Sequence, residues 1–237
     1  MIYLYRVYQI IIMIPLMIVA TLLACLVVSL GSIMFGGRWW GYYPAMIWAR
    51  VMAWLTFVKV TVRGRDNISK RQSYIFVANH QGAYDIFAIY GFLGHNFKWM
   101  MKASLRKIPF VGYTCERAGH IYVDRSTPSG IRKTMTAAEK QLKDGMSVVV
   151  FPEGSRTRTG RMGAFKRGAF LLAQEFDLPV VPLTIDGAFR VMPRDSKLPR
   201  PGHIVITIHQ PIEAVDGKHD IPQLIEKSHR VIEASLK

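Results

Sequence analysis

Short runs of apolar and β-branched residues alternate with amphipathic stretches from Phe57 to the end of the chain. The apolar runs predict seven strands, at residues 58–62, 74–78, 98–101, 121–123, 147–151, 180–185 and 204–208. The amphipathic stretches predict five helices, near residues 84–93, 106–115, 129–143, 165–175 and 219–236. Strands that alternate with helices indicate an α/β domain with a single, largely parallel sheet flanked by helices.

The N-terminal part of the chain has a different pattern. Residues 7–37 carry no charged side chain, and residues 10–35 alone are long enough to cross the hydrocarbon core of a bilayer. This run is longer than the apolar region of a signal peptide, and Pro15 is expected to kink it near its start. The aromatic segment that follows, residues 38–44, is typical of a membrane–water interface. We therefore predict an N-terminal membrane-embedded helical segment that either spans the bilayer or dips into one leaflet.

A second apolar run, residues 45–58, is interrupted only by Arg50 and contains Trp48 and Trp54. It predicts a shorter helix that either lies in the membrane interface against the first helix or forms the first core helix of the globular domain. No repeat or linker divides the remainder of the chain. We expect two parts, a membrane anchor at residues 1–56 and an α/β domain at residues 57–237.

The composition of the chain indicates what kind of molecule it binds. Half of the 237 residues are apolar, yet the net charge is +15. An apolar end joined to a basic body suggests a protein held at an anionic membrane surface and acting on anionic substrates. Nucleic acid would attract the same charge, so charge alone does not decide between these partners. The two cysteines, Cys25 and Cys115, lack a metal-ligand spacing and fit a reducing compartment without disulfides.

Unusual polar residues follow three of the predicted strands. Asn79 and His80 follow the strand at 74–78, Asp124 and Arg125 follow the strand at 121–123, and the segment 152–156 follows the strand at 147–151. In open α/β sheets, ligands bind where strands end and the next helices begin. These residues therefore predict one cleft at the carboxyl edge of the sheet.

His80 and Asp85 are the candidate catalytic pair. If His80 lies at the strand end and Asp85 on the following helix, the carboxylate can turn back and accept a hydrogen bond from one imidazole nitrogen. The other nitrogen is then free to take a proton from a hydroxyl group. The alternative is structural, since an aspartate near a helix start interacts favourably with the helix dipole and a single histidine is commonly just a satisfied polar residue.

Four segments in order carry a family resemblance. They are Asn-His-x-x-x-x-Asp at 79–85, Gly-His-Ile-Tyr-Val-Asp-Arg at 119–125, Phe-Pro-Glu-Gly-Ser-Arg-Thr at 151–157 and Val-Pro-Leu-Thr-Ile at 181–185. Together they resemble the glycerolipid acyltransferase family, above all its 1-acyl-sn-glycerol-3-phosphate acyltransferase branch, over residues 55–210. The resemblance implies an enzyme that esterifies the sn-2 hydroxyl of lysophosphatidic acid to give phosphatidic acid in phospholipid biosynthesis. Such an enzyme acts at a membrane, with His80 as the base and Asp85 as the residue that orients it.

The resemblance also implies a phosphate site. Glu153, Gly154 and Arg156 correspond to residues that help to bind the glycerol phosphate, and the planar fork of Arg156 suits a phosphate monoester. Lys102 matches a family pattern and is expected to add a phosphate contact. Arg125 either shares the phosphate or forms a structural ion pair with Asp124.

One position departs from the family pattern. The family often has serine two residues after the histidine, and this chain has Gly82. A covalent serine relay through that position is therefore excluded, and direct attack by the acceptor hydroxyl remains. Gly82 also relaxes the turn between the strand and the helix.

We therefore expect acyl transfer from an acyl-carrier protein (acyl-ACP) or coenzyme A (acyl-CoA) donor to a lysophospholipid, with no metal and no cofactor. The location expected is the bacterial inner (cytoplasmic) membrane, with the catalytic domain on the cytoplasmic side and membrane lipids as further partners. The sequence does not determine the oligomeric state. One alternative is an acyltransferase with a different acceptor, such as lyso-ornithine lipid. A second is a serine hydrolase, but no Gly-x-Ser-x-Gly turn is present. A third is a membrane or nucleic-acid binding module. We expect no nucleic-acid partner, because a binding module gives no reason for a His–Asp pair beside an apolar anchor.

Overall fold

A computed structural model describes residues 2–124, 127–143, 145–213 and 220–237. Its seven strands form one sheet in the order β1-β7-β6-β2-β5-β3-β4. All neighbouring pairs are parallel except β6 with β7. The predicted strands and the largely parallel sheet are confirmed. The strands are β1 Val58–Arg63, β2 Ile75–Ala78, β3 Phe97–Lys102, β4 Ile121–Val123, β5 Ser147–Val150, β6 Val180–Asp186 and β7 Gly202–Ile208.

Helices cover both faces of the sheet, which explains why β2 is buried along its whole length. Side chains alternate across the strand, so Phe76 packs with α4 and α5 on one face, while Ile75 and Val77 pack with α7, α8 and α10 on the other. The helices are α1 Ile2–Tyr8, α2 Ile14–Phe35, α3 Gly37–Trp40, α4 Tyr43–Leu55, α5 Tyr84–Phe92, α6 Val111–Arg117, α7 Pro128–Lys143, α8 Gly168–Glu175, α9 Ala188–Val191 and α10 Ile221–Ala234.

One predicted helix needs correction, and one short helix was missed. The helix expected at 106–115 is instead a 3₁₀ turn, Ala103–Lys107, followed by α6 from Val111. Pro109 lies between the two, and proline lacks an N–H and disfavours a helical residue before it. The short helix α9 was not predicted, because its four residues are too few to show a period. The other four predicted helices are present with shifted ends, and His219, where the last was expected to begin, lies outside the described residues.

The N-terminal apolar helix lies along the α/β body. A π-helical turn, Gln9–Met13, interrupts it just before Pro15, where a disturbance was expected. The Tyr8 hydroxyl donates to the Leu55 carbonyl at 2.9 Å, and the Gln9 amide donates to the Pro199 carbonyl at 2.8 Å. Farther along, the Trp48 indole N–H donates to the Thr21 hydroxyl at 3.0 Å. One narrow face of the helix therefore contacts the body, while leucines on its other sides are exposed, among them Leu23, Leu26 and Leu30.

Helix α4 has two different faces. Ala49 and Ala53 are buried in the core layer that includes α5, whereas Ile47 and Trp54 are exposed. Trp48 also bonds to the apolar helix. Helix α4 therefore packs both against the core layer of the sheet and against the apolar helix α2.

Buried side chains of the body fix the turn at the end of α2. The Lys98 ammonium donates to the carbonyls of Gly37 and Ala118, both at 2.7 Å, and the Tyr90 hydroxyl donates to the Gly41 carbonyl at 2.7 Å. The backbones approach closely here, since a Cβ added at Gly37 would lie 2.8 Å from the carbonyl oxygen of Arg117. The turn is therefore held to the sheet through its main chain, and glycine is required at this contact.

Candidate active site

The predicted cleft lies at the carboxyl edge of three neighbouring strands. His80 follows β2, Glu153 follows β5, and Lys102 is the last residue of β3. Since β2 pairs with β5 and β5 pairs with β3, all in parallel, these residues share one edge. Strand β4, which precedes Asp124, lies one strand beyond β3 on the same edge.

His80 and Asp85 are in direct contact. Their Nδ1 and Oδ2 atoms are 2.7 Å apart, and the His80 side chain is 15% exposed while that of Asp85 is completely buried. Helix α5 begins at Tyr84, so Asp85 sits in its first turn and faces back toward the strand end. The contact leaves Nε2 of His80 as the nitrogen available to a bound molecule.

The Asp85 carboxylate is also held by the backbone. Its Oδ2 accepts from the N–H of Gly82 at 2.8 Å. Burial raises the pKa of Asp85, and the hydrogen bonds from His80 and Gly82 oppose that rise. A buried carboxylate kept in contact with an imidazole favours the imidazole's cationic form, which is the state a general base reaches when it accepts a proton.

An aromatic stack sets the plane of the His80 ring. The ring lies on Phe151, with centroids 4.0 Å apart and planes 10° apart, and Phe151 stacks on Trp99 at 5.5 Å. These two aromatic residues were not predicted as part of the site. Trp99 lies on β3 and Phe151 directly follows β5. Only the pairing of those two strands brings both rings under His80.

Asn79 joins two strands at the site. Its amide donates to the Ile185 carbonyl at 2.9 Å and accepts from the Ile185 N–H at 2.8 Å. Because Asn79 is buried, this pair of bonds satisfies its polar atoms and ties the end of β2 to β6. The segment 181–185 thus supports the cleft from the core of the sheet.

Glu153, which was predicted to help bind the glycerol phosphate, is held by the main chain of the site. One carboxylate oxygen accepts from the backbone N–H of His80 at 2.7 Å, and the other accepts from the N–H of Gly163 at 2.8 Å. Burial raises the pKa of Glu153, and these two bonds oppose the rise. From the same loop, the N–H of Thr157 donates to the His80 carbonyl at 2.9 Å. The loop after β5 therefore holds both backbone groups of His80.

The remaining candidate residues surround this loop. Gly154 has φ +77°, which favours glycine, and its N–H closes a turn on the Phe151 carbonyl at 3.0 Å. Within the described part of the chain, no ion pair or hydrogen bond holds the Arg156 guanidinium, which is partly exposed. Lys102 is exposed at the edge. Arg125 lies outside the described residues, so its two alternatives stay open.

Helix α9 explains the glycine at position 82. A Cβ added there would lie 2.6 Å from the carbonyl oxygen of Met192 and 2.7 Å from that of Ala188. A serine would collide with this backbone unless α9 moved. Glycine therefore replaces the serine of the family pattern at a position where a neighbouring helix approaches the backbone closely.

An imidazole oriented by a buried carboxylate, at the carboxyl edge of an α/β sheet, defines a class of protein equipped for acid–base chemistry on a bound hydroxyl group. The described residues contain no cluster of His, Cys, Asp and Glu suited to a metal ion. Comparison with known proteins gives the family. The chain belongs to the acyltransferase family, whose family model matches residues 59–186.

Individual relatives are more specific. The chain is 30% identical to a 1-acyl-sn-glycerol-3-phosphate acyltransferase of Pseudomonas aeruginosa over 80% of this chain and 75% of that protein. It is 33% identical to a chloroplastic 1-acyl-sn-glycerol-3-phosphate acyltransferase of Arabidopsis thaliana over 72% of this chain, and it spans about half (48%) of that relative's length. The crystal structure of the 1-acyl-sn-glycerophosphate (LPA) acyltransferase from Thermotoga maritima superimposes with a TM-score of 0.70 at 28% identity, covering 80% of this chain and 75% of that one.

Proposed function

We propose that this chain is a 1-acylglycerol-3-phosphate O-acyltransferase that converts lysophosphatidic acid to phosphatidic acid. The observation that carries the proposal is the contact of 2.7 Å between His80 and a fully buried Asp85 at the carboxyl edge of the sheet. The relatives named for this reaction, which align over 72% and 80% of this chain, support the choice of acceptor.

The reaction needs one base and no covalent intermediate on the chain. Nε2 of His80 takes the proton of the acceptor hydroxyl as its oxygen attacks the thioester carbonyl of acyl-ACP or acyl-CoA. Asp85 holds Nδ1 and stabilises the imidazolium that forms. When the tetrahedral intermediate collapses, the C–S bond breaks, the ester remains, and the imidazolium returns its proton to the thiolate.

Arg156 is the best-placed residue for the acceptor's phosphate. It is partly exposed, and its main chain belongs to the loop that holds His80. A guanidinium can form two parallel hydrogen bonds with a phosphate monoester. Lys102 adds positive charge at the same edge, and Gly154 makes the turn that presents the loop. Arg125 is proposed from the sequence alone as a further phosphate contact.

Glu153 acts on His80 rather than on the substrate. Both of its carboxylate oxygens already accept backbone N–H bonds. Its role is therefore to fix the main chain from which the base projects.

The helix at residues 3–35 is apolar enough to enter a membrane. Because it contacts the body from Tyr8 to Ser29, a perpendicular crossing would draw the body into the hydrocarbon. We infer that residues 1–56 form an anchor that dips into one leaflet and that residues 57–237 form the acyltransferase domain. We propose that the body lies on the cytoplasmic side of the inner membrane, where its net positive charge would face an anionic leaflet.

The test is acyl transfer by the purified full-length chain in detergent, with several lysolipids and both donors. We expect phosphatidic acid to form from lysophosphatidic acid, a loss of roughly 10²–10⁴-fold or more for His80→Ala, and a smaller loss for Asp85→Asn. Faster acylation of an acceptor that lacks phosphate would refute the proposed substrate. Normal turnover by a folded His80→Ala variant would refute the mechanism.

A further inference from the structure

A loop beside α6 exposes apolar side chains to an unusual degree. Residues 104–110 are exposed without interruption. The exposed fractions of Leu105, Ile108 and Phe110 are 39%, 43% and 68%, and that of Tyr113, one turn into α6, is 50%. Scattered exposed apolar residues are ordinary, but four within nine positions form a patch that calls for a partner.

The loop is held in place by the rest of the chain. The Arg106 guanidinium lies over the Tyr122 ring, 4.7 Å from its centroid, and it also pairs with Glu116 at 3.1 Å. The Tyr122 hydroxyl donates to the Gly112 carbonyl at 2.8 Å, and the Gly112 N–H donates to the Ile108 carbonyl at 2.9 Å. The apolar side chains are therefore presented on a fixed support.

Phe110 carries backbone strain. Its φ of 60° and ψ of −52° belong to the rare γ-turn with positive φ, and the N–H of Val111 donates back to the Pro109 carbonyl at 2.6 Å. Strain of this kind persists where surrounding contacts or a function require it. Here the side chain is mostly exposed, so packing within the chain does not offset the strain. The conformation points the ring away from the body.

The position of the loop identifies its partner. It leads directly into α6, which contacts the apolar helix α2 through hydroxyls of Thr114 and Ser29 that are 3.0 Å apart. The loop therefore immediately precedes a helix that packs on α2. It also begins directly after Lys102, at the edge of the active site.

The charges of the loop match a lipid surface. Residues 102–117 contain four basic residues, Lys102, Arg106, Lys107 and Arg117, and a single acidic residue, Glu116, which pairs with Arg106. Apolar side chains among exposed cations are the composition of segments that insert into anionic bilayers, where the apolar groups enter the acyl region and the cations meet the headgroups.

We propose that the loop at residues 105–110 is a second membrane-binding element, which inserts Leu105, Ile108 and Phe110 into an anionic phospholipid leaflet beside α2. The loop and α2 then contact the leaflet at two separate places. A body held at two places can tilt less relative to the membrane than a body held by one helix. The edge that carries His80 and Lys102 then faces the headgroups, where a lysolipid resides.

The direct test measures depth in the bilayer and needs no activity. In the full-length chain with Cys25→Ser and Cys115→Ser, a single cysteine at Phe110→Cys carries a bimane fluorophore. The matched control is Lys227→Cys, an exposed position on α10, which covers the opposite face of the sheet. Both proteins are reconstituted into vesicles of phosphatidylcholine and phosphatidylglycerol that contain lipids with acyl-chain nitroxides.

We expect quenching at position 110 to be several times stronger than at position 227, and to weaken when phosphatidylglycerol is left out. Equal quenching at both positions would overturn the proposal. A blue-shifted emission at position 110 that appears in detergent and grows with protein concentration would also overturn it, since it would show that a second copy covers the patch.

A functional test uses the glycine variant, because Phe110→Gly removes the ring and also relieves the strain. We expect its thermal midpoint to be unchanged or raised, its activity in detergent to be retained, and its activity on lysolipid in vesicles to fall about threefold or more. The exposed apolar residue Ile131 on α7 supplies the control Ile131→Ser, which should change neither activity. Full vesicle activity of Phe110→Gly would refute a role for the insertion. This arm alone rests on the proposed function; if the natural chain fails to acylate lysophosphatidate, the quenching experiment still decides on the loop.

Discussion

The position of His80 depends on its own backbone groups as much as on Asp85. The N–H of His80 is bound by Glu153, and its carbonyl is bound by the N–H of Thr157. Two motifs that are about 70 residues apart in the sequence thus form one structural unit. The Pro-Glu-Gly-Ser-Arg segment therefore fixes the main chain from which the base projects.

We predict that Glu153→Gln lowers kcat by roughly 10–100-fold, because a small displacement of a catalytic group has an effect of that size. Glutamine can accept from only one of the two N–H groups and turns its own N–H₂ toward the other. The KM for the acceptor should change little, which steady-state kinetics would establish. Glu175→Gln, an exposed position on α8, is the control. A raised acceptor KM with normal kcat would instead place Glu153 on the substrate.

Arg156 should behave in the opposite way. We predict that Arg156→Ala raises the KM for lysophosphatidate by about 10–100-fold, the loss expected for a charge-assisted contact of about 1.5–3 kcal/mol. The KM for the thioester should change much less. Arg132→Ala, on the exposed face of α7, controls for the general effect of charge. An equal loss for donor and acceptor would mean that Arg156 binds the donor's phosphates or supports the fold.

At the scale of elements, the joint between α2 and the sheet is made of buried polar residues. The backbone N–H of Trp99 donates to Nδ1 of His120 at 3.2 Å, so Nε2 carries the ring proton and donates to the Tyr90 hydroxyl, also at 3.2 Å. Tyr90 in turn donates to the Gly41 carbonyl. Burial lowers the pKa of His120 to about 3, so this residue stays neutral and serves as a connector.

Lys98 gives this joint a dependence on pH. Burial, assisted by Arg38, lowers the pKa of Lys98 from 10.5 to about 8. Below about pH 8 the folded and unfolded chains both carry the proton, whereas between about 8 and 10.5 only the unfolded chain does. The stability of the natural chain relative to Lys98→Met should therefore rise across that window, by at most about 3 kcal/mol.

Thermal midpoints of the two chains in detergent, measured at several pH values between 7 and 10.5, test this prediction. Lys59→Met, at an exposed position on β1, provides the comparison and should show no such trend. A difference between the thermal midpoints of the natural chain and of Lys98→Met that is the same at every pH would contradict the prediction. That result would mean that Lys98 titrates alike in the folded and unfolded chains.

At the scale of the molecule, the anchor and the catalytic body share an interface while exposing different surfaces. The helix at residues 2–35 buries Met13 and Val28 against the body and leaves most of its leucines exposed. The residues proposed for catalysis and phosphate binding all lie between 80 and 156. The contribution of the apolar helix can therefore be tested by removing residues 1–37, which leaves all of these residues in place.

We predict that a chain lacking residues 1–37 folds with lowered stability, because Met13 and Val28 no longer cover the body. It should bind anionic vesicles weakly and lose that binding as salt rises. Activity on lysophosphatidate in bilayers should fall sharply, with more retained in detergent. A full-length variant with Leu23→Gln, Leu26→Gln and Leu30→Gln keeps the packed face and should lose bilayer activity without the loss of stability. Full bilayer activity of the salt-washed truncated chain would show that the anchor is a dispensable tether.

The sequence by itself determined the periodic features and the motifs. Alternation of apolar runs gave all seven strands, and the uncharged N-terminal run gave the apolar helix, because these patterns depend on neighbours in the chain. It also predicted the contact between His80 and Asp85, which are only five residues apart.

Only the tertiary structure decided what depends on contacts between distant residues. The stack of His80 on Phe151 and Trp99, the bonds from Glu153 to His80, and the approach of α9 to Gly82 all join segments from different strands and loops. Strand order created these contacts, and no local pattern encodes the order. For the same reason the sequence left open the orientation of the apolar helix relative to the α/β body. That orientation is fixed by hydrogen bonds from the side chains of Gln9 and Lys98 to main-chain carbonyls. Every residue has a main-chain carbonyl, so the sequence does not reveal which one accepts such a bond.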